Sequence, residues 1–173
     1  VVARTRELGL DGLSFSGIPV FGSDADQAAQ KAVASLFIEK FAAVAGPDKE
    51  LLLLFEGDPQ FLAPADRAKV DYFVLDTKET DNATDLKLQV LRALSAGAVP
   101  CNKLLLGAMT EYEFTDEDKG AADAISALTI RIPEIGPQPL AGLCIYSVNA
   151  DYFGAEFIYP LTRQAIQTLN PSK

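Results

Sequence analysis

The sequence has no histidine and no tryptophan, and only one methionine and two cysteines in 173 residues. Without histidine, neither a Ser-His-Asp nor a Cys-His nucleophile system can be assembled, and every histidine-ligated metal site is excluded. Cys101 and Cys144 lie 43 positions apart, which fits neither a zinc knuckle nor a C-x-x-C redox pair. Basic residues are scarce: 15 Lys+Arg stand against 24 Asp+Glu, a net charge of −9. Nucleic acid and anionic membrane surfaces both need a positive partner, so neither is expected. No apolar run approaches the roughly 20 residues that span a bilayer. The opening residues do not follow the basic-then-apolar pattern of a secretory leader, so the compartment is not read from them. The glycine fingerprints that cradle phosphates, G-x-G-x-x-G and G-x-x-x-x-G-K-[ST], are also missing.

What remains is a globular composition, 49% apolar and 23% charged, read as a single domain over residues 1–173. Short apolar runs alternate with helical patterns. The β-like runs are Leu10–Phe15, Leu51–Phe55, Tyr72–Asp76, Lys103–Met109 and Leu140–Val148. Four of them are nearly continuous apolar stretches, as in parallel strands covered on both faces. The first long helix is expected over Asp24–Ala45, with Ser23 and Asp26 as a capping box, a stripe of Val33, Phe37, Phe41 and Val44, and a stop at Gly46-Pro47. Shorter helices are expected over Ala65–Lys69, Asp85–Ala96, Asp116–Leu128 and Tyr159–Leu169. The Asp85–Ala96 helix carries Leu88, Leu91 and Leu94, with Thr84 as N-cap and Gly97 beyond its end. Strict β/α alternation predicts an α/β fold with a parallel sheet, either open or part of a closed barrel. Polar residues cluster just past the strand ends: Glu56 and Asp58, Asp76 and Glu79, Glu111 and Glu113, Asn149 and Asp151. In a (β/α)8 barrel such positions line the active face, and they are also where polar loops begin.

Three segments together resemble the second half of a glycoside hydrolase family 18 barrel, in its endo-β-N-acetylglucosaminidase branch. Leu10-Asp11-Gly12-Leu13-Ser14-Phe15-Ser16-Gly17-Ile18-Pro19 is similar to the family's fourth strand, patterned D-G-x-D-x-D-x-E. Val70-Asp71-Tyr72-Phe73-Val74-Leu75-Asp76 resembles the sixth strand. Gly142 to Asp151 resembles the eighth, where an aromatic closes the floor of the sugar site. The resemblance implies a partial (β/α)8 TIM barrel, strands four to eight with their helices. It also implies substrate-assisted glycosidase chemistry, in which the terminal glutamate protonates the leaving oxygen and an aspartate orients the acetamido nucleophile. Here Ser14 and Ser16 stand in place of the aspartates and Ile18 in place of the glutamate. Neither serine nor isoleucine is a general acid near neutral pH, and that function is worth about 10²–10⁴-fold in rate.

The resemblance therefore implies a noncatalytic glycan-binding protein that recognises N-acetylglucosamine-containing oligosaccharides or glycoprotein glycans, with no cofactor and no metal. Tyr72, Tyr112, Tyr146 and Tyr152 fall on or just beyond strands, and tyrosine offers an apolar face plus a hydroxyl. Tyr146 is the expected sugar platform. Tyr72, Asp76, Glu111, Asn149 and Asp151 are the expected hydrogen-bonding partners. Each of these is equally compatible with a core, rim or solvated role. One alternative is an active hydrolase with a displaced acid at Glu56, Glu79 or Glu111. Another is a structural module with a vestigial site, offering the apolar segment 155–159. A complete barrel takes about 250 residues. The chain is accordingly expected to be the C-terminal part of a longer protein, or to have its opening covered by a partner such as the N-terminal part of the same barrel. Alone it is expected to self-associate. The resemblance implies a cell-surface or periplasmic location.

Overall fold

The computed structural model describes residues 1–16, 23–45, 50–76, 83–96, 99–109 and 140–146, together with the helical residues Thr162, Arg163, Ile166 and Gln167. Four helices and five strands are defined among them: α1 Val2–Glu7, β1 Gly12–Ser16, α2 Asp24–Val44, β2 Leu52–Glu56, α3 Pro64–Arg67, β3 Tyr72–Leu75, α4 Ala83–Ser95, β4 Leu104–Met109 and β5 Gly142–Tyr146. The strands form one sheet in sequence order, β1-β2-β3-β4-β5. Every pairing is parallel. All five expected strands are present, each within two residues of its expected start. The result is a partial (β/α) barrel.

The sheet buries one face against the helices. Phe55, Phe73, Leu53, Leu104 and Leu106 are fully buried with Ile38 of α2 and Val90 of α4. Phe15 packs edge-on against Phe55 at 5.1 Å and tilted against Phe37 at 5.0 Å between ring centroids. Phe55 in turn meets Phe73 at 6.2 Å. Such aromatic pairs add roughly 0.5–1.5 kcal/mol each beyond their area burial. Phe15 thus faces the helices, as its alternation with Ser14 and Ser16 predicts.

Local signals set the element ends. Ser23 and Asp26 form the expected capping box, in which the Ser23 hydroxyl accepts from the Asp26 amide while the Asp26 carboxylate accepts from the Ser23 amide at 2.9 Å. The Ser23 hydroxyl also donates to the Asp26 carboxylate at 2.7 Å, and this bond first, then that from the Ser23 amide, holds the Asp26 carboxyl below the usual carboxylate range. Arg6 of α1 donates to the Val44 carbonyl at 2.8 Å and to Glu50 at 3.2 Å, so a cation satisfies the last carbonyls of α2. Gly12 is required where β1 meets β2: a Cβ there would stand 2.2 Å from the Leu52 carbonyl oxygen.

Three expectations are corrected. The buried stripe of α2 is Ala34, Ile38 and Phe41, while Val33 is 60% exposed and Val44 is exposed too. In α4 the buried residues are Leu86, Val90 and Ala93, while Leu88 is 56% exposed. Thr84 lies inside the first turn of α4, which begins at Ala83. The expected helix over Asp116–Leu128, the stop at Gly46-Pro47 and the apolar segment 155–159 lie outside the described residues.

Candidate functional site

Alternation and register define the other face of the sheet. Ser14 pairs with Leu54 and Ser16 with Glu56. Leu54 pairs with Tyr72 and Glu56 with Val74. Gly107 pairs with Cys144. Cα partners in a parallel ladder project to the same side. Their neighbours Phe15, Phe55, Phe73 and Leu106 face the helices, so Ser14, Ser16, Leu54, Glu56, Tyr72, Val74, Cys144 and Tyr146 line the concave face. Val74 is buried, yet it stands outside the helix-facing core cluster.

Glu56 ends β2 and Tyr146 ends β5, three strands on in the sheet. Barrel strands tilt by about 36°, with a stagger of about one residue per strand, so residues far apart along the hydrogen-bonded rows meet inside the curve. The Tyr146 hydroxyl is shut off from solvent and lies within reach of the Glu56 carboxylate. Burial first, then the Glu56 carboxylate and the nearby Cys144 thiol, push the Tyr146 phenol well above the usual range for tyrosine. The phenol is therefore a neutral donor at physiological pH, and its natural acceptor is Glu56.

The remaining candidates separate. Tyr72 is on the same concave face but in register with Leu54, one layer deeper than Glu56. Ser14 and Ser16 are exposed there. Asp76 is exposed just past β3 and lines a separate cavity of about 160 Å3 with Asp58, Gln89 and Arg92, the last two from α4. Ile18, Glu79, Glu111, Tyr112, Asn149, Asp151 and Tyr152 lie outside the described residues. Both cysteines are free and half-buried, and Cys144 stands beside Tyr146 because it lies two positions before it on the same strand. The pairing of Glu56 with Tyr146 is the feature that the sequence reading missed. The alternation signal for it was present, since Glu56 falls on the face of Leu52 and Leu54. The strand tilt that brings it to Tyr146 is a property of the closed curvature.

Charged groups are few on the described strands. The five strands contain a single carboxylate, Glu56, and no lysine or arginine. Two-carboxylate glycosidase chemistry needs a second acid about 5–9.5 Å away. Among the described residues, no strand supplies one, and no group of acidic, cysteine and histidine side chains fits a metal ion. The aromatic ring of Tyr146 is suited to stacking, and the carboxylate of Glu56 to accepting protons.

Parallel strands with helices on one side and polar groups at the strand ends define the (β/α) barrel class, a scaffold that hosts many chemistries. The chain belongs to glycoside hydrolase family 18, in its BT1044-like group, whose sequence profile matches residues 2–168. A selenomethionine-labelled glutamate-to-glutamine variant of BT1044 superposes with a TM-score of 0.70 at 16% identity, covering 98% of this chain and 56% of that structure. The chitinase ChiB from the chitin utilization locus of Flavobacterium johnsoniae superposes with a TM-score of 0.61 at 13% identity, covering 96% of this chain and 62% of that one. The chain therefore spans less than two thirds of the length of either structure. No curated protein matches.

Proposed function

We propose that the protein binds glycans without cleaving them, and that it recognises N-acetylglucosamine-containing oligosaccharides. The carrying observation is the concave face itself: Ser14 and Ser16 stand where the family pattern carries acids, while Tyr146 and Glu56 form a polar-aromatic pair beside them. The similarity to a chitinase from a chitin utilization locus motivates N-acetylglucosamine as the sugar. In this reading the Tyr146 ring is the platform and Glu56 accepts from the ligand. Tyr72, Asp76, Glu111, Asn149 and Asp151 are further hydrogen-bonding candidates. The site is outside the cytoplasm, facing soluble or cell-surface glycans. No described helix is long and apolar enough to cross a membrane.

The test is a calorimetric titration with a chitobiose-core glycoprotein, followed by mass spectrometry of the recovered glycoprotein. Binding with the glycan intact supports the reading. A released glycan supports a second reading, an active hydrolase with Glu56 as displaced acid, which is motivated by Glu56 being the Cα partner of Ser16. Glu56→Gln then abolishes release if Glu56 is that acid.

A further inference from the structure

We propose that a cavity at the N-terminal ends of β3 and β4 binds a small organic carboxylate through Lys103, at a site separate from the concave face. The proposal goes beyond the glycan-binding reading and does not depend on it. The cavity has a volume of about 210 Å3 and lies between α3 and the segment that leads into β4. Its walls are largely apolar: Pro64, Ala68, Phe73, Val99 and Pro100. Lys103 and Arg67 complete the lining, and no acidic residue is among the described residues that line it. The half-buried Lys103 donates to the Val70 carbonyl at 2.7 Å. An ammonium carries three N–H donors, so one bond to a neutral carbonyl leaves both donors and charge uncompensated. Among the described residues Lys103 has no ion pair. The acids nearest to the lining residues in sequence are engaged elsewhere: Asp66 accepts from the Ser35 hydroxyl and lies 3.5 Å from Lys69, and Asp71 accepts from the Leu53 amide at 3.0 Å. A partly desolvated cation without a counter-charge favours an anion that supplies one, through a charge-assisted hydrogen bond. The apolar walls add that the anion carries a compact apolar body. The volume equals roughly seven waters at about 30 Å3 each, below the about 300–1,000 Å3 of pockets for drug-sized ligands. Glu56 and Tyr146 end their strands at the opposite, C-terminal end.

Benzoate and benzamide test the site in the full-length protein, because they share a shape and differ in charge. Titrations followed by nuclear magnetic resonance should show benzoate binding roughly tenfold more tightly than benzamide. Lys103→Met keeps much of the side chain's length and removes its charge, and should close that gap. Ala68→Leu fills the cavity from an exposed position, leaves both cations in place, and should abolish binding of either ligand. Tyr146→Ala, at the other end of the strands, should leave benzoate binding unchanged. Absence of benzoate binding, or equal affinity for benzoate and benzamide in the unaltered protein, would overturn the proposal. So would benzoate binding that survives Ala68→Leu, a measure that holds even if Lys103→Met fails to fold. Loss of benzoate binding in Tyr146→Ala would place the ligand on the concave face and overturn it too. Chitobiose titrated separately decides the glycan-binding reading, so either idea can fail without the other.

Discussion

A buried phenol, a carboxylate facing it and two exposed serines carry the functional argument at the scale of single residues. Tyr146 is expected to contribute most of any sugar contact, so Tyr146→Ala should weaken glycan binding by roughly tenfold or more, read by calorimetry. Its ionisation makes a separate prediction. The folded phenol titrates above the unfolded one, which ionises near pH 10. The stability this represents is fully present below about pH 10 and is lost as pH rises above it. Alkaline melts of the unaltered protein and of Tyr146→Phe should therefore agree near neutrality and diverge above about pH 10, with Tyr146→Phe declining less. Gly12→Ala should destabilise by about 1–3 kcal/mol or prevent folding, because the new methyl meets the Leu52 backbone, which cannot step aside. A chemical-denaturation midpoint unchanged by Gly12→Ala would contradict that contact. Gly12 was legible as part of a family-like motif, but its steric reason came only with the β1-β2 register. Tyr146 was singled out by the resemblance to the family's eighth strand, while its partner was not, because a contact across three strands has no signature in local sequence.

The elements show why periodicity finds a helix more readily than its buried face. α2 carries Val33, Leu36, Phe37, Ile38, Phe41 and Val44, apolar on most of its circumference. Stepping one residue rotates the stripe by about 100°, and both choices read as hydrophobic. The structure buries Ala34, Ile38 and Phe41, while Phe37 on the flank of the same helix packs against Phe15 of β1. In α4 the expected stripe ran through Leu88, Leu91 and Leu94, while Leu86, Val90 and Ala93 are the buried residues. Ile38→Ala should then cost about 2–5 kcal/mol, whereas Val33→Ala should stay within about 0.5 kcal/mol. Equal losses in denaturant melts would show that the helix phase is wrong. The capping box of α2 was read correctly because it depends on two residues three positions apart, Ser23 and Asp26, and on no tertiary choice.

At the scale of the whole molecule, the edges of the described sheet and the outer faces of the helices decide how the chain behaves. β1 and β5 each have one neighbour among the described strands. Val33, Leu36 and Val44 on α2 are exposed, and a cavity of about 600 Å3 between α1 and α2 is lined by Val1, Val2, Phe37, Phe41 and Val44. Exposed apolar surface of this kind favours association. Sedimentation velocity on the purified 173-residue chain should show species heavier than its 18.5 kDa, and a purely monomeric, cooperatively melting chain would contradict this. Fold class was legible in the β/α alternation, because parallel strands buried on both faces leave a continuous apolar signature. Closure was not, since curvature depends on which strands pair at the edges. The central claim, binding without cleavage, is tested most directly by incubating the full-length protein with a chitobiose-core glycoprotein and measuring both the heat of binding and the mass of the recovered glycoprotein. The account predicts saturable binding, abolished or strongly weakened by Tyr146→Ala, with the glycan mass unchanged. Release of the glycan at the chitobiose core would contradict it.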